Sequence, residues 1–468
     1  MAEEPSAARP ERLASLDVFR GIVMAGMILV NNPGSAARFS PLGHASWNGW
    51  TPTDLVFPSF LFIVGVAMTF SFDRRLAQGG GRLRLFEQVV RRTIILFLLG
   101  MVFGLTPMGF PNWRLIGPYI LMIAGIGLTF ADEPLFGWPR APLARIRKTL
   151  GWALCAGAIL YFIIDFGCFQ ASRIRVPGVL QRIAICYFCA SLILMYCGVR
   201  GRVLWTAALL LGYWAIIKHV HPPAGYAADV VGPEGLLHNW IDERLLGAHV
   251  YARERPDPEG LLSTVPAVAT TLLGVLAGNW LHARRGKTDA TAGLFFAANV
   301  AIVLGLWMSL STPVNKKLWT SSYVLLAGGI ATHGLAMCFW LVDVKGRRRW
   351  SAPFMVFGTN AIAVYVASGF VARLLDLWKL PSADGRTLLS GVGLLSLIKA
   401  WSHQTLHPLV TPAVLGAKPI AVKAWLYQAL FASWTGPRLS SLLYALAYVL
   451  LWLVLMTPLY RRRLYIKV

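Results

Sequence analysis

Apolar stretches long enough to approach a bilayer span recur along almost the whole of this chain, and that recurrence decides what it can fold into. Ser440 to Thr457, Ser321 to Val342 and Leu262 to Leu281 are clear examples. With 56% hydrophobic and 14% charged residues, a disordered or ordinary soluble protein is excluded. The reading is an all-α, polytopic integral membrane helix bundle of about 12 (10–12) transmembrane helices. Spans are expected near 16–34, 53–73, 93–110, 115–131, 149–165, 178–198, 203–218, 261–282, 292–310, 321–342, 353–374 and 439–459.

The formal net charge of +23 is placed as a topology signal rather than as a nucleic-acid surface. Basic residues crowd alternate short loops, as in Arg74 to Arg92, Arg140 to Lys148, Arg284 to Lys287, Lys345 to Arg349 and the tail from Arg461. The intervening short loops hold only Arg38, Arg114, Arg173, Arg175, Lys316 and Lys317. The positive-inside rule then puts both termini in the cytoplasm and the loop around residue 44 outside. The division is a short cytoplasmic tail, 1–14, and a single membrane domain, 15–468. Within it, 219–260 and 376–437 form long non-cytoplasmic loops, the second with re-entrant or interfacial character. Membrane lipids are the partners this implies. Nucleic acid is not, and pairing with a second copy stays open. The mixed-charge start, ahead of the first apolar stretch, reads as an uncleaved anchor.

Polar groups that interrupt such a sequence are costly unless they face protein or water, so each is a candidate site. The densest is H-A-S-W-N-G-W-T-P-T-D-L-V-F-P-S-F-L-F, from His44 to Phe62. It follows Gly43, turns at Asn48-Gly49 beside Trp47 and Trp50, and enters a helix through Thr51-Pro52-Thr53-Asp54 in an N-cap-like arrangement. A neutral His44 there could take a proton from a nucleophile while the Asp54 carboxylate fixes its tautomer. The plainer reading is an interfacial aromatic belt with a stray histidine.

Three other clusters stand out. Asp17 and Arg20 lie three apart at the start of the first span and can pair on one face. Gln181 and Arg182 lie a turn inside the helix opened by Pro177. Arg182 has no local acid and needs a distant carboxylate, a cavity or an anionic ligand. Asn315 and Lys316, in P-V-N-K-K-L-W, are echoed by Asn360 in the next span; such amides more often knit helices together than bind substrate. Other histidines read more blandly. His403 and His407 lack the glutamate of a zinc helix, so no metal is assigned. His219, His221, His238 and His249 read as solvated and His333 as a core group. Cys186 and Cys189 read as packing.

The segments S-L-D-V-F-R-G-I, the His44 to Phe62 stretch, R-V-P-G-V-L-Q-R-I, D-P-E-G-L-L-S-T, P-V-N-K-K-L-W-T-S-S-Y-V and V-D-V-K-G resemble, in order, the catalytic membrane domain of the heparan-α-glucosaminide N-acetyltransferase family. The resemblance implies a transmembrane acetyltransferase that takes acetyl-CoA from the cytoplasm and passes the acetyl group to an amino sugar or glycan on the other side. It places the family's active-site histidine on His44 and the preceding asparagine on Asn31, and its motifs also cover Arg182, Asn315 and Lys316. A bacterial inner-membrane protein with a periplasmic acceptor is the expectation that follows. Departures are expected too: no large luminal domain before the first span, an extra helix pair at 115–165, a slightly longer Asn31–His44 spacer and an expanded 376–437 segment. They leave the donor chemistry better transferred than heparan as acceptor.

The assignments that follow are His44, Asn31 and Asp54 for catalysis and Arg182, Arg20 and Gln181 for the donor. Asn48, Trp47, Asn315, Lys316 and Asn360 are assigned to the acceptor. His44 serves as general base or as a transient acyl carrier. A transporter or flippase of a glycan or lipid-linked intermediate, using Arg182 and Arg373, is the alternative.

Overall fold

The computed structural model describes residues 13–77, 81–104, 121, 125, 149–157, 175–220, 222–223, 236–251, 255–283, 286–377, 379–380, 420–433 and 435–464. Thirteen α-helices carry the described part. They are α1 (Ala14–Asn31), α2 (Val56–Ala77), α3 (Arg82–Gly104), α4 (Val179–Tyr196), α5 (Val199–His219) and α6 (Leu237–Leu246). After these come α7 (Leu261–His282), α8 (Lys287–Ser309), α9 (Ser321–Phe339), α10 (Ala352–Thr359), α11 (Ala361–Leu377), α12 (Val422–Leu430) and α13 (Pro437–Arg461). A two-residue antiparallel ladder, Lys379–Leu380 on Ile420–Ala421, is the strand pairing among the described residues.

Seven of these helices are long and apolar enough to cross a membrane, or eight if the bent pair α10–α11 is one span. This is an all-α, multi-pass membrane bundle. Parts of the expected spans at 93–110 and 149–165, and all but two residues of 115–131, lie outside the described residues, as do His403, His407 and most of 376–437. The span expected at 353–374 is broken. The chain bends by 74° between α10 and α11, and Asn360 at the break donates from Nδ2 to Leu464 O at 3.1 Å. Helix α3 begins at Arg82, ahead of the apolar run, with Arg82, Leu83 and Arg84 all exposed in its first turn.

Without a hydrophobic force between helices in lipid, close backbone packing must hold them, and small residues permit it. Helices α2 and α7 meet glycine to backbone. A Cβ on Gly65 would fall 1.9 Å from Thr271 O, and one on Gly274 1.9 Å from Phe62 O. Helix α1 meets α10 in the same way, Gly21 against Phe354 O and Gly358 against Asp17 O, each at 1.8 Å. These contacts lock α1 and α2 into the core, and the segment between them, residues 32–55, is thereby held at one end of the bundle.

Helix α9 sets the frame for that end. Lys316 precedes it, and Asp343 follows it, accepting from Ser15 N at 3.1 Å. The 24-odd residues between Trp319 and Asp343 correspond to roughly 35 Å of helix. One end of the bundle therefore carries the α1–α2 segment and the 313–320 loop. The opposite end carries Ser15, Asp17, Arg20, Asn360 and Leu464.

Candidate active site

The α1–α2 segment enters α2 through a 3-10 turn, Pro52–Leu55, closed by a reciprocal cap between Thr51 and Asp54. That cap is a local consequence of a threonine three residues before a carboxylate. Asp54 Oδ2 accepts from Thr51 N and Ala45 N, each at 3.0 Å, and from Thr51 Oγ1 at 3.1 Å. The other oxygen, Oδ1, faces His44 Nδ1 at 2.7 Å and Lys316 Nζ at 3.2 Å. Tyr323 Oη donates to the Asp54 carbonyl at 2.5 Å and ties the turn to α9. Asp54 is buried, whereas the His44 side chain is 51% exposed.

This geometry selects a tautomer. A 2.7 Å contact between Nδ1 and a carboxylate oxygen holds a proton between them, so Nδ1–H donates. Nε2 then keeps its lone pair on the exposed side of the ring. Lys316, 3.0 Å from Nδ1 and close to the same oxygen, balances the carboxylate charge. The arrangement presents an oriented, solvent-facing imidazole base or nucleophile on a buried carboxylate.

Lys316 is placed by a tightly specified loop. Asn315 is fully buried; its Oδ1 accepts from Leu318 N at 3.0 Å, and its Nδ2 donates to Asn48 Oδ1 at 3.1 Å. Gly49 N donates to Val314 O at 2.7 Å, stitching the His44 turn to this loop backbone to backbone. Trp319 takes φ 55, a strained conformation for a bulky residue. It is held there by Nε1 donating to Thr270 Oγ1 at 3.1 Å, by Phe57 at its edge and by the Arg182 guanidinium 5.0 Å over its ring. Trp47 packs beside Leu318, with Lys317 Nζ 5.8 Å from its ring. His44, Asp54, Asn48, Trp47, Asn315 and Lys316 are thus brought together.

The remaining assigned residues are not. Asn31 ends α1 with an exposed side chain, and its neighbour Asn32 is the buried one, bonded to Ile28 O at 2.8 Å. Asn360 sits at the opposite end, bound to the C-terminal segment, so its role in the fold is to stabilise a helix break. Arg20 pairs with Asp17 Oδ1 at 3.0 Å and donates to Gly358 O at 3.2 Å, also at that opposite end. Arg182 lies at the His44 end instead, donating to Gly260 O at 3.1 Å and to Ser263 Oγ at 2.5 Å. Arg20 and Arg182 therefore cannot grip one nucleotide together. Arg182 Nε and Nη1 have no hydrogen-bond partner among the described residues. Gln181 Nε2 faces Met101 Sδ at 3.7 Å in the interior.

Sequence patterning misses the part played by the 219–260 region. His238, expected in solvent, is buried on α6, and its Nε2 meets Tyr213 Oη at 2.7 Å. Burial, together with the Arg182 charge, pushes the His238 imidazole down to about 3, so it is neutral. Tyr213 Oη also donates to Leu318 O, which couples α6 to the Lys316 loop. Burial pulls the Arg175 guanidinium down, but Asp257 and Glu259 of the D-P-E-G segment clamp it and hold its pKa above the ordinary value. The signal was a short amphipathic run, Leu237 to Leu246, inside an otherwise polar loop.

Asp242 on α6 offers a pH test. Its Oδ1 accepts from Leu261 N at 2.9 Å. Burial pushes its carboxyl up to about 6, the Leu261 N–H opposing this, the Asp257 charge adding to it and Arg182 opposing it. A raised carboxyl binds its proton more tightly in the folded state, so stability falls as pH rises from the ordinary value near 3.8 to about 6 and stays lower above. Asp242→Asn keeps an oxygen for Leu261 N without the charge. It is expected to unfold at a higher temperature than the parent near pH 7.5, by up to about 3 kcal/mol in stability, and at the same temperature near pH 4. Thermal unfolding in detergent at the two pH values checks this, and a gap independent of pH would refute the assignment.

An all-helical bundle with seven helices long and apolar enough to span a membrane, and a histidine oriented on a buried carboxylate at one end, defines a multi-pass membrane protein. Residues 12–116 and 103–311 match the family model described as heparan-alpha-glucosaminide N-acetyltransferase, catalytic, and the chain belongs to that family. It is similar to the human heparan-alpha-glucosaminide N-acetyltransferase, with 28% identity over 427 residues, 80% of this chain and 55% of that protein. The Mus musculus protein of the same name is 27% identical over 423 residues, 79% of this chain and 55% of that one. The chain thus spans about half the length of the curated relatives it matches.

Proposed function

We propose that this protein is a transmembrane acetyltransferase that moves an acetyl group from cytoplasmic acetyl-CoA to an amino sugar or glycan on the other side of the membrane. The observation that carries the reading is the His44–Asp54 pair braced by Lys316, in a chain that belongs to this family. With both termini cytoplasmic, by the positive-inside rule, the His44 end faces outward, in a bacterial cell toward the periplasm.

The physical problem is delivery. A phosphate-bearing CoA cannot cross a hydrocarbon core ~30 Å thick. The basic end that carries Arg20 and the arginine-rich loops suits its anionic nucleotide. The acyl end must reach His44 between helices. At that end the buried Arg182, with two nitrogens lacking hydrogen-bond partners among the described residues, suits the carbonyl oxygen or the developing oxyanion better than it suits a nucleotide. His44 Nε2 takes the proton of the acceptor amine or hydroxyl as it attacks the thioester, and the thiolate of CoA leaves. Alternatively Nε2 attacks first and carries the acetyl group to the acceptor. Asn48 and Trp47, beside His44, would contact the sugar.

Purified protein incubated with acetyl-labelled acetyl-CoA and a panel of amino sugars and glycans tests the reading by mass spectrometry. Label on an acceptor amine or hydroxyl is the expected result. Label retained on the protein without acceptor would select the acetyl-His44 route. Glycan movement across a vesicle membrane without loss of acetyl-CoA would overturn the proposal in favour of transport.

A further inference from the structure

Away from the His44 site, the wall between α8 and α9 holds a groove of about 540 Å³, formed by Thr291, Ala292 and Phe295 on one side and Met337, Trp340 and Leu341 on the other. Thr288 also lines it, at the end near Lys287, and within the slot Thr291 Oγ1 turns back to donate to Lys287 O at 2.8 Å, which leaves the wall apolar. Helix α8 is the least buried of the seven candidate spans, at 22%, so this wall faces lipid. The groove opens where α9 gives way to a wider turn over Trp340–Val344, closed by Lys345 N donating to Trp340 O at 2.8 Å. Such a turn bulges one residue out of the regular ladder.

The rim at that end is basic. Lys287 Nζ donates to Asp343 O at 3.3 Å, and Lys345 Nζ lies 5.4 Å from the Trp340 ring. Arg347, Arg348 and Arg349 follow, exposed like both lysines. The acids nearby are Asp289 in the first turn of α8 and Asp343, whose carboxylate is engaged by Ser15 N. The local balance is positive. An apolar slot within the span, ending at two ammonium groups and a tryptophan at interface level, matches an amphiphile with an acyl chain and an anionic head.

We propose that the α8–α9 groove holds an acyl chain of an anionic phospholipid whose phosphate is gripped by Lys287 and Lys345, on the leaflet that faces both ends of the chain. The test is native mass spectrometry of the full chain in detergent, with phosphatidylglycerol or phosphatidylcholine added at equal concentration. One phosphatidylglycerol retained in preference to phosphatidylcholine is expected. At about fivefold per basic group, K287Q combined with K345Q should lower phosphatidylglycerol retention about 25-fold and phosphatidylcholine, whose choline cation offsets its phosphate, by much less. A292W, which fills the groove from an exposed position, should lower retention of both lipids. Equal retention of the two lipids, or indifference to the lysine changes, would overturn the proposal. So would a dimeric mass lost in A292W, which would assign the groove to a second copy of the chain.

Discussion

His44→Ala is expected to leave a folded membrane protein that transfers acetyl groups about 10²–10⁴-fold more slowly. The prediction rests on exposure as much as on chemistry. The His44 ring is half exposed, and its hydrogen-bond partner Asp54 is held by other groups: its carboxylate by Thr51, Ala45 and Lys316, and its backbone by Tyr323. Removing the ring therefore takes away the reactive nitrogen without opening a cavity in the core. Acetyl transfer from acetyl-CoA to an amino-sugar acceptor, measured beside the thermal unfolding of the same preparation, separates the two effects. A variant that unfolds normally and turns over within a few-fold of the parent would end the assignment.

Asp54→Asn should have nearly as large an effect, for a different reason. Both carboxylate oxygens face donors: His44 and Lys316 on one side, Thr51 and Ala45 on the other. An amide must turn its NH₂ toward one of these sets. If it faces His44, the imidazole is forced to accept at Nδ1 and to carry its proton on Nε2, the wrong tautomer for a base at the acceptor. If it faces Thr51, the backbone donors of the cap are opposed and the turn into α2 is disturbed. A fall in kcat of roughly 10²–10⁴-fold is expected, with little change in the KM for acetyl-CoA, because the proposed donor contacts lie elsewhere. Steady-state kinetics with the donor varied provide the check. A rise in KM alone would move Asp54 from orienting the base to binding substrate.

The site was partly legible before folding because much of it is local. His44 to Asp54 contains a turn, a cap and a titratable pair within eleven residues, and a threonine three positions before an aspartate dictates its own closure. The pairing of Asp17 with Arg20 was legible for the same reason, as neighbours on one helical face. Arg182 was not. Its place at the His44 end depends on Gly260, Ser263 and Trp319, which lie about eighty and more residues away in sequence. Asn360 misled because an amide in an apolar run looks the same whether it meets a substrate or satisfies a broken helix. Its bond to Leu464 places it at the helix break, away from His44. His238 misled because acidic residues around it suggested water, while α6 folds its apolar side onto Tyr213 and α7.

The sequence by itself determined that this chain lives in a membrane as helices, since apolar length and the placement of charge act residue by residue against lipid. It also determined the His44–Asp54 turn, whose closure needs no distant partner. The tertiary structure decided which polar groups share an end of the bundle. Lys316 meets Asp54 only because Asn315 and Gly49 tie two remote loops together, and Arg20 parts from Arg182 because α9 lays roughly 35 Å of helix between their ends. Helix packing fixes such distances through backbone contacts at glycines far from the site, and no spacing in the chain encodes them directly.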